Sequence, residues 1–207
     1  MKLLKENETS ANMAVAKVMR ISIIVLTVVL ILNIVGIFIV DMTQMIIAYI
    51  AGTALLALPT LIVNGMKKSG EGYVKYVCVS CAVLFTGILT VILTKHAVLL
   101  YVYPIAISSL YFSEKLNIFG TIFTIITVSV AQLISFYIPC DKDANLTDFK
   151  GVTLFGILPR AMILFAISMI FTMLCKRTAS LLGNLMSAEQ QEQIREKSAE
   201  ISQTLVK

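Results

Sequence analysis

Between Ile21 and Leu174 the chain consists of apolar runs of about 20 residues with very few charged side chains. At 1.5 Å per residue, a helix of that length spans roughly the 30 Å hydrocarbon core of a bilayer. The pattern predicts an all-α, polytopic membrane protein: six transmembrane helices followed by a cytoplasmic helix.

Length arguments place the crossings. Ile21–Val40 and Met45–Val63 flank the polar tetrad Asp41-Met-Thr-Gln44. As one helix they would reach roughly 65 Å, twice a bilayer, so the chain turns at the tetrad. Asn64–Gly72, with Gly65, Gly70 and Gly72 beside Lys67 and Lys68, reads as a loop. Tyr73–Phe112 has one polar break, Thr94-Lys95-His96, and splits into crossings at about 73–94 and 97–112. The second is short and carries Pro104, a predicted kink. Ser113–Asn117 forms a turn, 116–138 the fifth crossing, Pro139–Gly151 a loop, and 152–175 the sixth crossing, closed by Lys176-Arg177. Three parts result: a cytoplasmic N-terminal segment (1–20), the six-helix domain (21–175), and a cytoplasmic signalling helix (176–207).

Charge orients the chain. Lys2, Lys5, Lys17, Arg20, Lys67, Lys68, Lys75, Lys115, Lys176 and Arg177 border one side, against Lys95, Lys142 and Lys150 on the other. The positive-inside rule then predicts a multi-pass protein of the cell (inner or plasma) membrane with both termini cytoplasmic. Charged residues make up 14% of the chain, where a soluble domain carries roughly a quarter, too few to cover a water-facing surface. The net charge of +5 comes from residues beside apolar runs and implies a lipid partner, not nucleic acid.

Catalytic and metal motifs are missing from the sequence. His96 is the only histidine, no glycine loop cradles phosphate, and no nucleophile elbow is present, so no enzyme activity, cofactor or metal is expected. Cys78-Val-Ser-Cys81 has redox-like spacing, but it sits in an apolar run and reads as small apolar side chains, as do Cys140 and Cys175. The first run is about 20 residues long with no small-x-small site after it, unlike a cleaved signal peptide. The Asp and Glu residues all fall at turns or in tails, which counts against ion-coupled transport.

Arg160 is the most informative membrane residue. It lies about 12 Å into the sixth crossing, where an unpaired charge costs several kcal/mol. Pro159 before it frees the carbonyl of Phe155 and predicts a second kink. Two readings compete: Arg160 faces a polar pocket that takes an anionic ligand, with Tyr101, Tyr103 and Asp41 as further candidates, or it snorkels or pairs with Asp41 or Asp148. The tyrosines also fit an interfacial aromatic belt, Asp41 a solvated turn, and His96 a solvated loop. Asn33 and Gln132 fit interhelical hydrogen bonds.

Residues 178–207 have helix-forming composition, with one apolar stripe at Leu181, Leu185 and Ala188 and another at Ile194, Ile201 and Leu205. The stripes do not share one heptad phase, so a coiled coil is only begun here. The pattern reaches Val206-Lys207 without a Gly, Asn or Pro stop signal, and reads as a helix cut through within a longer protein.

Phe171-Thr-Met-Leu-Cys-Lys-Arg-Thr-Ala-Ser-Leu-Leu-Gly-Asn-Leu-Met-Ser-Ala-Glu-Gln190 resembles the membrane-exit region of six-helix methyl-accepting chemotaxis proteins of clostridia-like bacteria. Glu196–Leu205 is similar to the stretch that follows, and Leu99–Phe112 to an upstream segment of the same proteins. The resemblance covers nearly the whole chain, through runs of helix-forming and apolar residues. It implies a sensory module for chemotaxis, a homodimer or higher receptor array, and a histidine kinase reached only through a downstream signalling domain that these residues lack. A different class is also open: a small six-helix substrate-binding or transport protein, because six crossings in this length resemble the substrate-binding subunits of vitamin transporters. Such a protein has no use for the polar helix after the last crossing. The sensor region of a histidine kinase or nucleotide cyclase is the third reading.

Overall fold

The computed structural model describes residues 2–37, 40–93, 98–138 and 148–205, with side chains described from Asn7 to Asn184. His96, Cys140, Lys142 and the expected break at Thr94-Lys95-His96 lie outside the described residues, as do the side chains of Leu185, Ile194, Ile201 and Leu205.

The described residues are helical throughout, joined by turns. In order they form α1 (Lys2–Ile34), α2 (Met42–Thr60) extended by a π turn (Leu61–Gly65), and α3 (Val74–Ile92). A 3-10 turn (Val98–Val102) leads into α4 (Tyr103–Ser109), and α5 covers Glu114–Tyr137. The short α6 (Phe149–Gly151) and a second π turn (Val152–Ile157) lead into α7 (Leu158–Leu205). Five helices are long and apolar enough to cross a membrane: Asn7–Ile34, Met42–Gly65, Val74–Ile92, Glu114–Tyr137 and Phe149–Asn184. Val98–Ser109 is apolar but shorter.

α3 is the central helix, touching α1, α2, α4 and α5, while α5 carries the contact onward to α4 and α7. Polar side chains share the interior with an apolar core, and large apolar side chains cover the outside. On α5 the buried stripe includes Asn117, Thr121, Thr124, Gln132 and Ser135, while Ile118, Ile122, Ile126, Val130 and Ile134 face outward. Met162, Ile163, Phe165, Met169, Ile170 and Met173 are exposed on α7. Apolar exposure on this scale, around a core holding polar side chains, points to a membrane protein.

Several expected boundaries shift. Residues 1–20 do not stand apart as a segment: they are the first half of α1, and Ala11, Val15, Ala16 and Met19 bury one helical stripe in the bundle. The Asn12 amide, 2% exposed, donates to the Ser69 carbonyl and accepts from the Tyr111 hydroxyl, both at 2.8 Å. Lys75 pairs with Glu8 beside it. The first helix stops at Ile34, well before Val40, because Gly36 takes φ +83° and the Asn33 amide closes the turn on both backbone groups of Val40. Asn33 is therefore a turn clamp rather than an interhelical partner.

Of the fourth expected crossing, 97–112, the described residues are helical from Val98 to Ser109, after which Leu110–Phe112 turn, with Phe112 at φ +49°. Pro104 does not kink that helix. It sits in its first turn, where the missing N–H has no intrahelical partner to lose. Pro159 likewise falls in the first turn of α7, behind the π turn in which the Leu158 N–H reaches the Thr153 carbonyl. The chain stays helical through it from Phe149 to Leu205, and the missing donor is absorbed by a widened turn.

Tyr111 joins Asn12, and the Cys175 thiol donates to the Ser109 carbonyl at 3.6 Å. The N-terminal half of α1, the end of α4 and the departure of α7 thus share one end of the bundle. Cys78 and Cys81 are buried, free thiols on α3.

Small residues allow close approach at the centre. A Cβ on Gly120 would stand 3.1 Å from Val79 Cγ1 of α3 and 3.1 Å from Cβ and Oγ of Ser108 of α4. Gly120→Val is expected to cost about 1–3 kcal/mol by overpacking, read as a lower thermal midpoint in detergent micelles. An unchanged midpoint would contradict this packing.

Candidate functional site

Two hydrogen bonds set how α5 and α7 run past each other. Asn117 meets the Thr172 hydroxyl at 2.9 Å, and the Thr121 and Ser168 hydroxyls lie 2.6 Å apart. The Asn117 amide is satisfied on both sides when its nitrogen donates to Ser108 Oγ and the Ile105 carbonyl and its oxygen accepts from Thr172. One carboxamide thereby ties α4, α5 and α7 together at the end from which α7 departs.

Carried toward the other end, the same antiparallel register brings Gln132 level with Ile157, one helical turn from Arg160. Gln132 stands on the α5 stripe that faces α7, since Asn117, Thr121 and Gln132 follow the i, i+4, i+15 spacing of one helix face.

Arg160 projects from the first turn of α7 toward the 3-10 turn before α4, with its guanidinium carbon 5.9 Å from the centre of the Tyr101 ring. That is within range of a cation–π contact, about 0.5–2 kcal/mol depending on desolvation. Arg160 Nη1 and the Tyr101 hydroxyl are both buried without a hydrogen-bond partner among the described residues, and so, on α5, are both amide atoms of Gln132. Tyr101 and Gln132 are each 2% exposed. Buried polar groups are normally paired, so two unpaired polar atoms beside a permanent positive charge make the Arg160–Tyr101 junction the candidate site.

The candidate residues therefore divide. Arg160 and Tyr101 come together. Tyr103 does not join them: two residues further along a helical turn it faces the opposite side, its hydroxyl 3.0 Å from Ser22 Oγ and its ring edge-on to Phe85 at 6.0 Å. Asp41 is exposed and caps α2, its Oδ1 accepting from the Gln44 N–H. Asp148 caps α6 by accepting from the Gly151 N–H, so neither acid neutralises Arg160. Gln132, expected to bond between helices, has no hydrogen-bond partner among the described residues. Its polar stripe with Asn117 and Thr121 was the signal in the sequence. Leu181 is exposed on α7, and the helix backbone continues through 185, 194, 201 and 205.

No protein-family model, no curated protein and no solved structure matches this chain.

Gln132→Leu keeps the side chain's size and removes a buried amide with no partner. The ligand-free variant is expected to gain about 1–3 kcal/mol, measured as a higher thermal midpoint in micelles. A lower midpoint would show that the amide is already paired.

Proposed function

We propose that this chain is the membrane sensory module of a chemotaxis-type receptor. The single observation that supports the reading most is α7, a 48-residue helix of roughly 72 Å that starts beside Arg160 and runs unbroken past the bundle. α4 and the 3-10 turn before it touch α7 at two levels, the turn through Tyr101 at Arg160 and α4 through Ser109 at Cys175. In this reading an anionic ligand at Arg160 favours one arrangement of α4 against α7, and the population shift equals the ligand's differential affinity for the two arrangements. The polar half of α7 delivers that shift to a signalling domain that controls a histidine kinase.

The reading includes six crossings of the plasma membrane, Val98–Phe112 being the fourth, with both chain ends in the cytoplasm. Six basic side chains at one end of the bundle support this orientation: Lys67, Lys68, Lys75, Lys115, Lys176 and Arg177. It also includes a homodimer, in which the polar halves of two α7 helices pair.

The test is a chimera in which residues 1–205 replace the membrane region of a chemotaxis receptor in cells lacking their own receptors. Kinase output should change with some small anions in the medium, and Arg160→Gln should abolish that change while leaving the amount of membrane-inserted protein the same. An unchanged dose response in Arg160→Gln would remove Arg160 from the site. A chimera with no effect on kinase activity under any stimulus would favour the substrate-binding alternative.

A further inference from the structure

α3 and α5 lie side by side and run in the same direction: Gly120 stands against Val79 near their starts, and Gly87 against Thr127 further along. The outward side of this seam has two unlike halves. In the first half aromatic rings fill it, with Tyr76 edge-on to Phe119 at 5.5 Å and Phe119 tilted against Phe123 at 5.9 Å. Tyr76, Leu84, Gly87 and Val91 keep the spacing of one face of α3, as Phe119, Phe123, Ile126, Val130 and Ile134 do on α5. The same seam therefore continues into the second half, where its lining holds no aromatic residue and a groove of about 330 Å³ opens. Gly87 and Ala131 keep the floor low, and a Cβ on Gly87 would stand 2.6 Å from the Thr127 methyl.

We propose that this groove holds one acyl chain of a membrane lipid, drawn from the leaflet away from Lys75 and Lys115, which stand at the starts of α3 and α5. From Leu84 to Val91 and from Ile126 to Ile134 it runs roughly 10–12 Å along the helices, most of the roughly 15 Å hydrocarbon depth of one leaflet. The chain enters at Val91 and Ile134 and stops where the rings close the seam. Ile126, Val130 and Ile134 belong to the exposed apolar face of α5, so the groove is continuous with the lipid-facing surface. Membrane helices associate through small residues joined by hydrogen bonds, and here Thr86, Thr90, Thr124 and Ser135 are buried away from the groove, whose lining is apolar apart from Thr127. That lining also exposes far less surface than the roughly 800 Å² per partner of a stable interface, which sets a second copy aside. Dispersion holds the chain: a floor and two walls touch it on three sides, where a flat helix face touches it on one.

The experiment uses the full chain in phosphatidylcholine nanodiscs that include a phosphatidylcholine with a diazirine near the end of one acyl chain. After irradiation, labelled residues are located by mass spectrometry. Ile163 supplies the comparison: the register of α5 against α7 sets it level with Ile126, and the two are 57% and 55% exposed. Label at the deep end of the groove, on Leu84, Gly87 and Ile126, is expected to exceed label at Ile163 roughly fivefold. Ala131→Leu fills the groove from its floor and Val130→Phe from an exposed wall. Each should bring the ratio toward one, the second with no change in thermal midpoint, and Met162→Phe on α7 should leave the ratio as it is. A ratio near one in the unaltered chain, or a ratio that both filling variants leave unchanged, would overturn the proposal. So would a disulfide-linked dimer formed on oxidation through Ile134→Cys and not through Met162→Cys, because a second copy would then cover the groove.

Discussion

The Asn117 carboxamide is the interaction on which the rest of the arrangement depends. It is completely buried, its bonds reach Ser108 and Ile105 on α4 and Thr172 on α7, and it stands next to the close approach of Gly120 to Ser108 and Val79. Where apolar side chains gain nothing by leaving lipid for one another, small residues and buried hydrogen bonds set how helices meet. With Thr121–Ser168 it determines the register of α5 against α7. α4, too short to be held by its own length, is secured at one end by this node and by Cys175, and the 3-10 turn at its other end meets Arg160 through Tyr101.

The two ends of the α4–α7 seam are therefore unlike. At the end where α7 leaves the bundle, polar atoms are paired: Asn117, Thr172, Ser108, and nearby Asn12 with Tyr111 and Ser69. At the opposite end the polar atoms of Arg160, Tyr101 and Gln132 are buried and unpaired. Polar groups fix the packing at one end, and the other holds polar atoms with no partner among the described residues, with α7 running as one helix between them.

Much of the helical framework was legible from the lengths of the apolar runs, since a bilayer's thickness turns length into structure. What was not legible was mostly decided by single residues against that trend. Ile37–Val40 is apolar, yet α1 ends before it because Gly36 and Asn33 make a turn there. The N-terminal stretch is polar on average, and its stripe of Ala11, Val15, Ala16 and Met19 shows only when spacing is read rather than content. Pro104 and Pro159 stand in the first turns of α4 and α7, where a missing N–H costs least. Of the expected ligand residues, Arg160 and Tyr101 meet because depth and position placed both near one end. Tyr103 was grouped with Tyr101 by proximity in sequence, which helical rotation undoes, and Asp41 answers to the local demand of a helix start.

The central claim is that the signal leaves the membrane on the side that holds the N-terminus, which requires the short Val98–Ser109 helix and its flanks to cross. Truncated fusions to green fluorescent protein and to alkaline phosphatase after Gly70, Glu114 and Arg177 test this directly. The account predicts a fluorescent and phosphatase-inactive reporter at all three positions, meaning cytoplasm each time. Phosphatase activity after Glu114 and after Arg177, with fluorescence after Gly70, would show that the short helix does not cross and that α7 departs on the opposite side, contradicting the account.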